Sequence, residues 1–399
     1  MAPSRNIIVA GAGIGGLTAS LALAQRGFRV IVLDQAERLE ETGAGIQLSP
    51  NATRVLIALG LEQRLLADAV APAAVDIRTG QGRTLARVPL GEYAAERYGA
   101  PYWITHRGDL QAALLEAVRG NPDIVLKLGA RVEDFVAHGH GVTVACRRGT
   151  STADETGIAL IGADGLWSSL RVRLGHYRKP VFRHRTAWRA LIPAANVAPD
   201  LRTDAVRLWL GRGAHLVHYP VKAGALINIV AIVDDRWDKP GWGEAGARED
   251  IIARLSGRRW AEEARELVTM PEHWQKWALY DLPPLRRWGN GPVTLLGDAA
   301  HPMLPFLAQG AAMAIEDAAV LAASLARNPD DIPGSMRRYE RDRRRRTAKA
   351  QRSARRNSRR YHLAGSEALL RNLYLRAVGG KMLLRGYDWL YDWRPTPPK

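Results

Sequence analysis

Three glycines, a few aspartates and a histidine–tyrosine pair are the residues whose types and spacing could do chemistry in this chain. Gly11-Ala-Gly13-Ile-Gly15-Gly16 follows the apolar run at 6–10 directly, and Asp34 closes the next apolar run at 29–33. In such a strand–turn–helix–strand unit Gly11 allows the tight turn and Gly13 lets a pyrophosphate approach the backbone. Gly16 lets the helix lie close to the sheet. The helix start offers free N–H groups and partial positive charge to phosphates, and Asp34 can accept from ribose hydroxyls. The unit calls for a dinucleotide and does not by itself separate FAD from NAD. Further on, in 215–220 (HLVHYP), strand alternation places His215, Val217 and Tyr219 on one face and His218 on the other. A histidine titrating near neutrality can take a phenolic proton, and a tyrosine can orient the oxygen that loses it.

The elements that must position these groups follow from hydrophobic period and turn residues. A glycine-bearing loop at 40–51 leads into a short helix at 52–59. Two strands joined at Gly80-Gln-Gly82 fall within 74–88, a helix within 110–118, alternating strands within 125–144, and a further apolar strand at 158–161. From about 181 to 282 the texture changes to alternating strands, with a helical stretch near 249–267; this reads as a second, mostly antiparallel domain. Residues 293–296 return to a buried-strand pattern, 311–326 form a strong helix, and the remainder is helical and basic. The nucleotide domain is therefore expected to be discontinuous, at 1–73, 101–180 and 286–335. A β-rich substrate domain takes 74–100 and 181–285, and a basic helical segment 336–399.

At 399 residues the chain can hold two to three domains. A content of 47% hydrophobic against 24% charged residues is that of a soluble globular protein. Outside the first glycine-rich unit no stretch is long and apolar enough to span a membrane, and the first apolar run lacks a basic leader. No membrane insertion and a cytoplasmic location are expected. Cys146 is the only cysteine, which excludes an internal disulfide and a cysteine metal site. His138 and His140 flank a glycine in a turn and lack further ligands, so no metal is expected. The net charge of +17 invites a nucleic-acid reading, yet the arginine-rich segment 337–360 has no aromatic interleaving and no binding motif. It reads as a long helix with a solvated face whose arginines also contact acids elsewhere, and no nucleic-acid partner is expected. The aromatic run at 387–393 is expected to pack the C-terminus against the body or a dimer mate.

Taken in order, three segments resemble one family, the single-component (group A) FAD-dependent aromatic monooxygenases. They are the Gly11–Asp34 unit; Gly162-Ala-Asp164-Gly165 with Ser168 and Arg171; and Gly297-Asp298-Ala-Ala-His301-Pro302, continuing through Pro305 and Gln309-Gly310 to Ala318. His106-Arg107-Gly-Asp109-Leu is similar to a further stretch that reaches the cofactor in that family. The resemblance implies an α/β fold, a Rossmann-like FAD-binding domain of the para-hydroxybenzoate-hydroxylase kind interrupted by the β-rich substrate domain. It implies FAD contacts from Gly11, Gly13, Ile14, Gly15 and Gly16, and from Asp34, Gln35, Gln47, Arg107 and Val132. Asp164, Asp298, Pro305, Gly310, Ala311 and Ala312 complete that set. The helix start near Gly310 would face the negative edge of the reduced flavin, and a guanidinium at 107 complements its charge.

The His215-x-x-x-Tyr219 spacing resembles the branch acting on salicylate, 3-hydroxybenzoate and 6-hydroxynicotinate, and implies that the pair meets the ring hydroxyl. Gln309, in Leu307-Ala308-Gln309-Gly310, matches a variant found in some of these enzymes and would hydrogen-bond the substrate carboxylate or hydroxyl. Ala308 and Ala312 depart from the commoner family residues, a glycine and a polar or sulfur residue. The implied activity is FAD- and NAD(P)H-dependent hydroxylation of a small hydroxylated aromatic carboxylic acid with O2, through a flavin C4a-hydroperoxide, NADH being slightly preferred. Decarboxylation would accompany it where the attacked carbon bears the carboxylate. The alternative is an FAD-dependent oxidoreductase or epoxidase acting on a non-phenolic, isoprenoid-like substrate. A homodimer is the default for a soluble oligomer.

Overall fold

The computed structural model describes residues 6–39, 44–241 and 243–395. The start of the glycine-bearing loop, at 40–43, and the last residues of the C-terminal segment lie outside them. Five short Val-, Ile- and Leu-rich strands form a parallel sheet in the order Val293–Leu295, Ala159–Gly162, Asn6–Ala10, Arg29–Asp34, Ile124–Leu128. Its strands are apolar on both faces because both are covered, by helices and by the three-stranded antiparallel sheet at 130–157, which shares their core through Val142, Val144 and Cys146. The first helix, Ile14–Ala24, is buried along nearly its whole length. It packs closely on the helix Gly310–Arg327: a Cβ on Gly15 would stand 3.2 Å from Cβ of Ala314 and 2.9 Å from a methyl of Leu296. Strands of a parallel sheet all end on one side. Gly11, Asp34, Asp164 and Asp298 each stand at or just past such an end, so the fold collects them along one edge.

A second, eight-stranded sheet runs Glu244–Gly246, Trp274–Asp281, Val181–Pro193, Leu226–Asp234, Ala214–Val221, Val206–Gly211, Ala74–Thr79, Thr84–Pro89. It is antiparallel except where Val206–Gly211 lies parallel to Ala74–Thr79. One face carries Trp188, Trp209, Leu216 and Ile229 into a core closed by the helices Arg248–Leu255 and Glu262–Thr269. The opposite face packs Ala187 and Ile232 against Leu304, Phe306, Leu307 and Met313, the approach to and start of the Gly310 helix. A three-stranded antiparallel sheet (130–157) and the pair Gly45–Leu48 with Trp103–His106 complete the strands.

Sequence periodicity passes over the helices Glu62–Leu66 and Gly91–Tyr98, each too short to present a repeating apolar stripe. The single helical stretch expected near 249–267 is two helices, because Gly257 between them takes a left-handed φ of +84°.

The arginine-rich segment is one helix, Ile332–Tyr361, begun by Asp331, whose side chain accepts the Gly334 N–H at 2.8 Å. Only part of its basic surface is solvated. Arg343 is fully buried: Nη1 pairs with Glu316 at 2.6 Å and Nε with Asp317 at 2.6 Å, both acids belonging to the Gly310 helix. Arg346 adds a second contact to Glu316 at 2.6 Å, and His301 reaches Asp317 at 2.5 Å. Removing one member of a buried pair strands its partner's charge, which costs about 3–5 kcal/mol. Arg343→Met is therefore expected to lower unfolding free energy by about that amount in urea titrations. Arg344→Ala, on the exposed side of the same helix, should change it by less than about 1 kcal/mol. Equal, small effects from both would show that the buried pair does not hold the two helices.

Candidate active site

The glycine turn is shaped for two different jobs. Gly11, at φ +112°, passes so close to the Asp164 loop that a Cβ would lie 2.3 Å from the carbonyl oxygen of Ala163, and a Cβ on Gly16 would lie 1.8 Å from the oxygen of Gly11. Those two are required by the protein's own packing. Gly13 is not: nothing stands within 4 Å of a Cβ there, so the space it leaves is open. Gly13 is also the N-cap of the first helix and supplies no side-chain cap, which leaves the helix's first N–H groups for a ligand. Ile14 is buried below the turn. Asp34 accepts the Ala12 N–H at 2.6 Å through one oxygen and the Ala36 N–H at 2.8 Å through the other. It braces the turn while each oxygen keeps a lone pair for a ribose hydroxyl. Gln35 beside it is exposed, and Val132 is half-buried opposite Cys146 in the three-stranded sheet.

Along the same edge, Asp164 accepts the Leu170 N–H at 3.1 Å and Ser168 accepts the Arg171 N–H at 2.9 Å, so this motif caps the short helix Ser169–Arg173. Arg171 is buried and donates to the carbonyls of Ala299 and Leu166, tying that loop to the Asp298 turn. The second oxygen of Asp164 is buried and has no partner among the described residues, an acceptor left for a ligand hydroxyl. Asp298 is exposed. Surrounding protein raises its carboxyl above the usual range, with His301, Arg107 and Arg171 opposing.

The Gly310 helix starts without a side-chain cap and with no acid in its first turn. A Cβ on Gly310 would meet only Met303, 4.0 Å away, so a flat group has access to the first N–H groups. Pro305 begins the single turn before it, and Ala308 holds φ +51°, a conformation that favours glycine. Ala311 is half-buried, whereas the Ala312 methyl is sealed in the main core, leaving only its backbone for a cofactor. Gln309 is also buried. Its amide donates to Ser49 Oγ at 2.7 Å and its oxygen accepts from Asn51 at 3.1 Å; Asn51 reaches Glu316 at 2.5 Å. The structure thus engages the Gln309 side chain with the start of the helix Pro50–Ala58.

His215 and Tyr219 do share the sheet face turned toward the Gly310 helix. Four residues at about 3.3 Å each set their backbones ~13 Å apart along the strand. His215 packs on the rings of Phe306 and Tyr361, and its Nδ1 lies 2.9 Å from Nε2 of His362. Burial, the neighbouring His362 and Arg185 hold it neutral, well below the usual histidine range. The Tyr219 hydroxyl donates to the Gly45 carbonyl at 2.9 Å, and burial pushes it up to about 12, with Arg189 and Gln47 opposing. It is a neutral hydrogen-bonding group, not a base. Gln47 accepts from Tyr102 at 2.7 Å in the same corner.

Two residues at this face, one on the sheet and one brought to it by the basic helix, escape a motif search. Arg189 lies on the Tyr219 face, makes no ion pair among the described residues, and its buried Nε has no partner. Strand alternation from Ala187 could have placed it there, but no motif marks it. His362, one residue past the basic helix, meets His215 across 147 positions of sequence, and nothing local signals that.

The open space at Gly13 gives a direct test. Gly13→Ala should leave the cofactor-free protein's melting temperature nearly unchanged yet weaken dinucleotide binding by roughly tenfold or more, since a methyl intrudes where the pyrophosphate approaches the backbone. Gly16→Ala should instead destabilise the fold by roughly 1–3 kcal/mol. A Gly13→Ala protein that binds normally would place the pyrophosphate elsewhere.

Residues 5–354 match the model of a protein family described as an FAD binding domain. The chain is 37% identical over 389 residues to a 3-hydroxybenzoate 6-hydroxylase of Polaromonas naphthalenivorans, covering 97% of this chain and 96% of that one. It is 38% identical over 333 residues to a 6-hydroxynicotinate 3-monooxygenase of Pseudomonas fluorescens, covering 82% and 83%. A crystal structure of Klebsiella pneumoniae HpxO complexed with FAD and uric acid superposes with a TM-score of 0.84 at 27% identity, over 96% and 95% of the two chains. These relatives do not favour the alternative of a non-phenolic, isoprenoid-like substrate. The chain belongs to the FAD binding domain family, among its FAD-dependent aromatic hydroxylases.

Proposed function

We propose that this enzyme hydroxylates the ring of a small hydroxylated aromatic carboxylic acid of the hydroxybenzoate or hydroxynicotinate kind. NAD(P)H, with NADH slightly preferred, and O2 are the co-substrates, and one oxygen atom leaves as water. Bound FAD supplies electron transfer and oxygen activation. Gly13, Asp34 and the unpaired oxygen of Asp164 suit its pyrophosphate and ribose side, and Arg107, Asp298 and the Gly310 helix start suit its ring side. The observation that carries the reading is His215, a buried imidazole held neutral by its surroundings on the sheet face turned toward the Gly310 helix. Deprotonating a phenol makes its ring far more nucleophilic, and a neutral imidazole can accept that proton.

In this reading His215 takes the phenolic end of the substrate and Arg189 takes the carboxylate, while Tyr219, whose proton goes to the Gly45 carbonyl, keeps a lone pair that can accept from a ring hydroxyl. A guanidinium with no ion-pair partner among the described residues suits a carboxylate. Gln309 acts through the helix start that it braces, with its remaining hydrogen-bonding capacity toward the substrate. The Ser168–Arg171 cap holds the Asp164 loop in place.

The test is NADH consumption across a panel of hydroxylated aromatic acids, with product analysis. One of them should stimulate consumption and return a dihydroxylated ring; stimulation yielding only peroxide, or none with any acid, would overturn the proposal. His215→Gln should lower kcat by roughly 100-fold or more, the usual contribution of a positioned base. Arg189→Gln should raise KM for the acid roughly 10- to 100-fold, the loss of a charged hydrogen bond. Because His215 is held well below 6.5, it stays neutral as pH falls through 6.5, so the acid limb of kcat/KM should lie below that value.

A further inference from the structure

His215 cannot be the last stop for a proton. It is enclosed, and Arg185 and His362 both oppose a standing positive charge on it. Its Nδ1 has one hydrogen-bond partner, His362 Nε2, at 2.9 Å. His362 is itself buried, and its Nδ1 lies 2.8 Å from Asp234 Oδ1. The Asp234 side chain is 55% exposed and opens on a depression of about 420 Å³ lined by Arg183, Arg185, Asp235 and Arg236. The three groups form an unbroken line from the wall of the site to water.

Hydrogen-bond chemistry sets its direction. Burial opposes ionisation of Asp234, but bonds from His362 and Arg185 outweigh it and hold the carboxyl below its usual range. An ionised carboxylate only accepts, so His362 Nδ1 carries hydrogen and its Nε2 is bare. His215 Nδ1 must then donate, which leaves His215 Nε2 bare and able to take a proton. Arg185 Nε approaches Asp234 Oδ1 at 2.9 Å and His362 Nδ1 at 3.2 Å; the shorter contact to the anion fixes its hydrogen there. The charged and titratable groups facing His362 are His215, Asp234 and Arg185 from three strands of the wide sheet, and Arg371 from the helix Gly365–Val378. Arg371 donates to the carbonyl of Arg360 at 2.9 Å and holds the end of the basic helix that presents His362.

We propose that His362 passes the substrate's phenolic proton from His215 to Asp234 and solvent, an inference that rests on the hydroxylase reading above. The phenol O–H breaks and a bond to His215 Nε2 forms. The Nδ1 proton of His215 moves to His362 Nε2, and the Nδ1 proton of His362 moves to Asp234, which gives it to water. One proton leaves the phenol and one enters solvent, with no change of oxidation state. His362 never touches the substrate; it positions His215 and passes the proton on.

The test uses the FAD-loaded, oxidised enzyme without reductant, so that no hydroxylation occurs, and 3-hydroxy-4-nitrobenzoate as a probe whose phenolate absorbs visible light. After a jump from neutral to alkaline pH, the wild-type complex should show phenolate rapidly. His362→Gln and Asp234→Asn should slow its appearance by roughly tenfold or more with the probe's Kd nearly unchanged. Added imidazole should restore the rate in His362→Ala, which a merely structural role would not allow. Wild-type rates in both His362→Gln and Asp234→Asn, with His215→Gln slowed, would overturn the relay and leave the hydroxylase reading standing. A wild-type enzyme that never takes up the probe as phenolate would overturn both.

Discussion

A single buried guanidinium sets the geometry of this enzyme. Arg343 sits between Glu316 and Asp317 with all three side chains sealed from water, and Arg346 and His301 contact the same two acids. Taking these ions out of water is expensive, and only close, complete pairing offsets that cost. The arrangement therefore tolerates one alignment of the basic helix on the Gly310 helix. Glu316 also receives Asn51, which holds Gln309, the residue that begins the Gly310 helix. Where the helix starts, and so where its free N–H groups lie, is fixed from behind by charge.

The same helix closes the substrate side. Its end delivers Tyr361 and His362 to the sheet face that carries His215, and the chain then returns to pack Tyr387 and Trp389 against it. Lys349 lies 4.0 Å from the centre of the Trp389 ring, and Arg346 stands over both Trp389 and Trp393. The aromatic C-terminal run is thus pinned by cations of the basic helix. Part of the chain's positive charge is spent inside the molecule, on acids and aromatic rings, and not on an external polyanion.

What could be read from the sequence follows a physical divide. Glycine spacing, apolar period and strand alternation are local, and they located the first strand–turn–helix unit, the hairpin at Ala74–Pro89, the Gly310 helix and the shared face of His215 and Tyr219. Parallel topology then dictated that Gly11, Asp34, Asp164 and Asp298 would meet at one edge. Contacts across long separations were not legible. Nothing near Arg343 says that it is buried while Arg344 is solvated, nothing near His362 points to His215, and Arg189 has no motif. The side chain of Gln309 looked available for substrate because its partners, Ser49 and Asn51, lie some 260 positions earlier. Ala308 was visible as a departure, but its left-handed backbone was not.

We infer that the start of the Gly310 helix, fixed by the buried arginine, would face the negative charge of reduced FAD. Such a helix end stabilises a nearby anion by about 0.5–2 kcal/mol, equivalent to roughly 10–40 mV for a two-electron couple. The most direct measurement is the reduction potential of FAD bound to the wild-type enzyme, taken anaerobically beside free FAD. The bound potential should be the higher by an amount of that order. A bound potential equal to or below that of free FAD would contradict it.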